Sequence, residues 1–253
     1  MQNGFRVLTA TDLNTLDVVK NDEFGALGVT EDGRQFRYVK FGGTATIQPG
    51  FLLAGPAAPA NSTALAITAV GTGGQLAANL VAGSRQLVVT NGVTAVTADE
   101  FQYVEINVGG AASTASYSLR VAGNSTAANG GYVTLQLADP IPASATTLVP
   151  GTDIVNLVLS KYNGAVASTT GNAPVGVTTT QIVNTASVTN YGWVQTVGHA
   201  IVKATAATIG LGIAQDLAGT AGYVIVTAAT TGNIGWAKTT AVSNTASVEL
   251  SIG

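Results

Sequence analysis

His199 is the single histidine in a chain of 253 residues. A catalytic role for it would need a Ser or Thr nucleophile on one side and an orienting carboxylate on the other. Hydroxyl residues are everywhere in this sequence, so finding one nearby carries no information, and no Gly-x-Ser-x-Gly elbow is present. His199 therefore reads first as an ordinary strand residue beside Trp193 and Val197. Carboxylates occur as neighbours at Asp22-Glu23, Glu31-Asp32 and Asp99-Glu100. Adjacent residues on a strand point to opposite faces, so such pairs do not converge. Glu31-Asp32-Gly33-Arg34 reads instead as a tight turn between Leu27–Thr30 and Gln35–Phe41. There is no cysteine, no EF-hand loop and no calcium-binding repeat, so no metal and no cofactor are expected. Gly71-Thr72-Gly73-Gly74 lacks the Gly-Lys-Ser/Thr ending of a phosphate loop. Asn61-Ser62-Thr63 and Asn124-Ser125-Thr126 match the glycosylation triplet but read as loop sequence. Tyr191 and Trp193 are the right types for a sugar platform, although an aromatic pair on a strand more often packs in a core or an interface. These residues give no catalytic centre, and the chain is expected not to be an enzyme.

Composition narrows the classes further. Charged residues make up 9% of the chain, against about 25% in an ordinary soluble protein. Thr, Ser, Asn and Gly take their place, while hydrophobic residues stay at 46%. Disorder is a poor explanation, because disordered chains are usually charged and short of β-branched residues. A thinly charged, Thr-rich surface suits a rigid β scaffold packed into an assembly, where charge is costly to bury. The formal net charge is -3 and the ten Lys and Arg are scattered, which argues against nucleic acid as a partner. No apolar run approaches the roughly 18 residues of a membrane span. Asp12 and Asp17 stand where the apolar core of a secretory leader would lie, so synthesis in the cytoplasm is expected.

The elements that would position these side chains are strands. Region 1–60 is a charged arm or small β region with a Pro/Gly linker: eleven of the twenty-three charges lie in its first forty residues, and Pro49, Pro56 and Pro59 follow. Region 61–170 is a series of period-two runs that predicts a β-sandwich or barrel. In Phe101–Val108, Val104, Ile106 and Val108 share one face, and Phe101, Tyr103, Glu105 and Asn107 the other. Similar runs are centred on Leu119, Leu135 and Leu157. Asn91-Gly92 between Leu87–Thr90 and Val93–Val96 predicts a two-residue hairpin. Region 171–253 predicts a C-terminal β domain with one long strand through Tyr191–Val202. Further strands are expected at Ala207–Ile213, Tyr223–Ala228, Ile234–Thr239 and Ser247–Ile252. Helix signals are confined to Thr11–Asn21, capped by Thr11, and Gln75–Val81. The expected fold is all-β, built from antiparallel sandwich or barrel modules.

Three stretches carry a resemblance over the whole chain. They are FGALGVTEDGRQFRYVKFGGTATIQPGFLLAGPA (Phe24–Ala57), the central run Leu80–Val108 with Leu135–Ile141 and Val155–Val166, and Ala173–Ala204 followed by Ile234–Ala237. The run Tyr191–Gly198 is the most distinctive. Together they resemble the tailed-phage capsid decoration, or cement, proteins. The resemblance implies a β-rich homo-oligomer, often a trimer, on the outer capsid surface, with the major capsid protein as partner. It would staple neighbouring capsomers. Arg34, Phe36, Arg37 and Tyr38, with Tyr191 and Trp193, are the candidate partner contacts, because such residue types are enriched at binding hot spots. A half-buried hairpin explains the four residues of 34–38 equally well. Two other classes stay open: a tail, fibre or adhesin module, and a carbohydrate-binding β domain.

Overall fold

The structure is a computed structural model that describes residues 5–56, 65–66, 82–91, 94–108, 115–142, 148–149, 152–168, 172–185, 188–216, 220–227 and 234–253. The chain forms two compact units: Met1–Ala57 joins Lys161–Gly253 in the first, and Ala58–Ser160 is the second. The sequence predicts three successive regions, 1–60, 61–170 and 171–253. Instead, the charged N-terminal region and the C-terminal region share one sheet.

The N-terminal segment supplies β1 (Arg6–Val7), α1 (Ala10–Asn14), β2 (Leu27–Val29), β3 (Gln35–Phe41) and β4 (Leu52–Ala54). The second unit supplies β5 (Leu65–Ala66), β6 (Gln86–Thr90), β7 (Phe101–Val108), β8 (Ala115–Asn124), β9 (Tyr132–Leu137) and β10 (Ile154–Leu159). The C-terminal segment supplies β11 (Asn163–Ala167), β12 (Pro174–Thr178), β13 (Tyr191–Lys203), β14 (Gly212–Gln215), β15 (Val224–Thr227), β16 (Gly235–Ala237) and β17 (Thr245–Ser251). The fold is all-β, as the alternation predicted. No helix among the described residues is long and apolar enough to cross a membrane.

In the first unit, strand pairing closes a ring. β3 pairs in parallel with β11, β11 with β4, β4 with β12, β12 with β13, and β13 returns to β3. Val39, Phe41, Ile47, Leu53, Val175, Ile182 and Val194 form a buried cluster with Tyr162 and Ala165. Burying each aliphatic side chain of that size contributes about 1.5–3 kcal/mol. β13 is long enough to serve two assemblies. Past a bulge between Gln195 and Val197 it pairs with β17, and the sheet continues through β16 and β14 to β15. A parallel bridge from Ala204 to Val224 brings the far strand back to the end of β13. Val202, Val224, Val248, Ile213 and Leu250 pack in this second core.

The Thr30–Arg34 turn forms as expected, with Gly33 at φ +85° and Gly33 N–H donating to the Thr30 carbonyl at 2.9 Å. The N-terminal helix is shorter than predicted and starts earlier. Its cap is Thr9 rather than Thr11, because Asp12 closes a capping box: the Thr9 hydroxyl accepts from the Asp12 N–H, and the Asp12 carboxylate accepts from the Thr9 N–H at 2.8 Å. It ends at Asn14, since Asp17 exchanges two backbone hydrogen bonds with Tyr191 and holds the chain extended. Thr9→Ala is expected to cost about 1 kcal/mol, read from urea unfolding.

In the second unit the sheet order is β5-β10-β7-β8-β9-β6, all antiparallel. Val104 and Ile106 face the core and Tyr103 and Glu105 face outward, as the period-two reading had it. Phe101 is buried against that reading, because β10 slips register between Val158 and Leu159 and brings Leu159 opposite Phe101. Among the described residues, β6 does not pair with Thr94–Val96 as the Asn91-Gly92 signal predicts. β6 is hydrogen-bonded to β9, with Thr90 opposite Tyr132, and Val96 bridges to Ala127. Asn91 is buried and its amide donates to the carbonyls of Thr94 and Ala128, which ties it to a crossing chain. Gly92, Gly71–Gly74, Gln75–Val81 and Asn61–Thr63 lie outside the described residues.

Candidate functional site

Strands β3 and β13 bring four of the six candidate contact residues together. Tyr38 and Trp193 are directly opposed, and their rings meet edge-to-face at 5.2 Å. Tyr191 stacks on Tyr38 on one side and on Phe24 on the other, with centroids at 6.4 Å and 6.2 Å. Phe36 lies two residues from Tyr38 on the same strand face. The segment before β2 covers this layer, with Leu8 and Leu13 joining Phe36, Tyr38 and Trp193 in one buried cluster. Phe36 and Tyr38 are fully buried, and Trp193 is nearly so. These three are core residues, and their sequence signal was the alternation of two paired strands. Tyr191 is partly buried, and Arg37 donates to the Gly25 carbonyl at 3.0 Å. Arg34 donates through its Nε to Asp32 at 2.8 Å, and its terminal guanidinium nitrogens make no hydrogen bond among the described residues.

The N-terminal charges are spent on holding this cover down. Arg6 pairs with Asp22 at 2.6 Å and Asp12 at 2.7 Å, and its guanidinium lies 5.8 Å from the Trp193 ring centroid. The Tyr38 hydroxyl donates to the Asp17 carboxylate at 2.9 Å and accepts from the Asn21 N–H at 3.1 Å. Burial is the main reason its pKa is pushed up, and the Asp17 carboxylate adds to this. Hydrogen bonds from the Thr9 hydroxyl and N–H hold Asp12 below its ordinary carboxylate value, with Arg6 helping. Folded Asp12 therefore binds fewer protons than unfolded Asp12. Its contribution is complete above the ordinary value of 3.8 and is lost as pH falls through the folded value. Between neutral pH and about pH 3, Asp12→Asn is expected to lose less stability than the wild type in paired melts. Equal losses would remove Asp12 from the account.

The remaining chemical candidates stay apart. Glu23 pairs with Lys20, and Glu100 accepts from the Thr97 N–H. No group of three or more potential metal ligands occurs among the described residues. Asn124 is buried at the end of β8, where its side chain accepts from the Phe101 N–H and donates to two carbonyls. His199 is exposed, and its Nε2 lies 3.2 Å from the Ser247 hydroxyl. Glu249 faces His199 across the β13–β17 ladder, but no hydrogen bond joins its carboxylate to the ring among the described residues. The contact thus has a hydroxyl and an imidazole without the orienting third group.

Among the described residues, cavities open in the first unit. One, of about 590 Å³, is lined by Val7–Ala10, Leu13, Asn14, Thr30–Asp32, Arg34 and Thr179. Another, of about 500 Å³, lies along β13 from Gln195 to Lys203, with Arg34, Gly50 and Thr178 among its other walls. Lys203 was not singled out from the sequence, because its significance depends on which edge of β13 lacks a neighbour. The chain matches no family model, no curated protein and no solved structure.

Proposed function

We propose that the chain is a structural virion protein that decorates the outer surface of a tailed-phage capsid and cements neighbouring capsomers, acting by binding rather than by catalysis. The observation that carries this reading is the surface of a stiff all-β scaffold. Only 9% of residues are charged, yet Phe5, Val7, Val18, Val19, Ile201 and Trp236 are each more than half exposed. Large apolar groups on a thinly charged surface favour association over solubility as a free monomer. Phe5 and Val7 belong to or adjoin β1, a terminal strand of the eleven-stranded sheet with no further neighbour among the described residues. The resemblance of Phe24–Ala57 and Tyr191–Gly198 to cement proteins supports the same reading. The proposed partners are the major capsid protein and two further copies of this chain.

The test is sedimentation. Purified protein is expected to sediment as a trimer and to pellet with expanded capsid shells of the cognate phage. A monomer that stays in the supernatant with shells present would overturn the reading.

A further inference from the structure

Successive residues of a strand direct their N–H and C=O groups to opposite edges. The Ile252 N–H donates to the Thr196 carbonyl, and the Ala204 N–H to the Asn244 carbonyl. The even-numbered residues of the second half of β13 therefore face β17, and Val197, His199, Ile201 and Lys203 face the other edge. On that edge Val197 lies opposite Gln35, and the Lys203 N–H donates to the Gly50 carbonyl at 2.8 Å. Between these points no strand is present among the described residues. Gln195 fills part of the gap, its amide donating to the carbonyls of Val197 at 3.3 Å and His199 at 2.8 Å. The N–H of His199 and both the N–H and the C=O of Ile201 have no partner on that edge among the described residues.

The 500 Å³ cavity opens on this gap. Arg34, His199 and Lys203 line it, and no Asp or Glu does. Lys203 forms no ion pair among the described residues. Glu249 lies beside His199 on the β17 side and Asp32 holds Arg34 by Nε, but neither is part of the lining.

We infer that this gap in the β13 edge is a docking slot for a short, extended acidic peptide segment of a partner protein. A peptide residue offers its C=O to the Ile201 N–H and its N–H to the Ile201 C=O, the exchange that adds a strand to a sheet. An inorganic anion satisfies the N–H groups and the cations but confronts the Ile201 carbonyl with another acceptor. Lys203, without an ion pair among the described residues and in a lining that holds no Asp or Glu, selects an acidic side chain on the peptide. The slot covers only the two rows at His199 and Ile201, roughly 7 Å of strand, so it positions a segment and contributes modest affinity. The inference does not rest on the virion reading.

The probe is an acetylated and amidated hexapeptide of alternating Val and Glu, titrated into the ¹⁵N-labelled full chain. Saturable shifts of the His199 and Ile201 amide signals are expected. Lys203→Gln is expected to weaken binding about tenfold. Ile201→Pro is expected to abolish it, because the lost N–H faces the slot and not the β17 ladder. If Ile201→Pro fails to fold, Lys203→Gln and the hexapeptide with Gln for Glu decide the matter. Unshifted amides, or equal binding of the Gln peptide, would overturn the proposal. So would inorganic phosphate that shifts the same amides and displaces the peptide, which would make this a free-anion site.

Discussion

Phe36→Ala is expected to lower the unfolding free energy of the first unit by about 3–5 kcal/mol, the range for a buried aromatic truncated in a core that cannot collapse around the hole. Phe36 is fully buried among Leu8, Leu13, Tyr38 and Trp193. Its backbone is pinned on both sides, opposite Gly28 of β2 and Gln195 of β13. The neighbours therefore cannot close over the vacancy without breaking a ladder. Both tryptophans, Trp193 and Trp236, lie in this unit, so fluorescence-monitored urea unfolding reads it separately from Ala58–Ser160. A loss below about 1 kcal/mol would contradict the burial of Phe36. The result also bears on the partner contacts. Weakened binding in Phe36→Ala would report damage to the scaffold, whereas Arg34→Ala removes only a side chain whose guanidinium lies 5.8 Å from the Phe36 ring centroid and tests a surface contact.

The period-two runs were legible because one face of each strand is buried and the other is not. Val133, Leu135 and Leu137 needed only alternation to be placed, and the structure buries all three. What alternation cannot give is the identity of the neighbouring strand. β6 and the segment around Val96 are adjacent in sequence, and Asn-Gly between them is a strong local hairpin signal. Yet β6 joins β9, forty-odd residues away, because that pairing seats Leu87 and Val89 in the core beside Val133 and Leu135. The same limit leaves Phe36, Tyr38 and Trp193 open between core and partner contact. Aromatics and arginines in a charged N-terminal region resemble hot spots until β3 is seen to run against β13, with Leu8 and Leu13 packed over them. The slot on β13 was not legible at all. It arises from a missing neighbour, and a sequence records what a strand contains rather than what fails to lie beside it.

Gly235→Ala is expected to cost about 3 kcal/mol, well above what the same change costs at an unencumbered glycine. Gly235 lies in β16 between two partners, opposite Leu250 of β17 and Ile213 of β14. A Cβ added there would overlap the Glu249 carbonyl oxygen and stand 3.0 Å from the Glu249 carbonyl carbon and 3.1 Å from the Leu250 Cα. All three are backbone atoms, so no rotamer change relieves the contact. β16 would have to separate from β17, loosening Ile234 and Ala237 from the second core of this unit. Gly210 is the control. It has φ +78° but nothing within 4 Å of an added Cβ, so Gly210→Ala carries backbone strain alone, about 1 kcal/mol. Gly235 also has a positive φ, +157°, so in side-by-side urea unfolding the excess cost over Gly210→Ala reads the overlap. Equal costs would mean that β16 and β17 do not approach as closely at Gly235 as their pairing requires. A larger cost at Gly235, with Trp236 fluorescence changing ahead of the main transition, would place the local opening at that ladder.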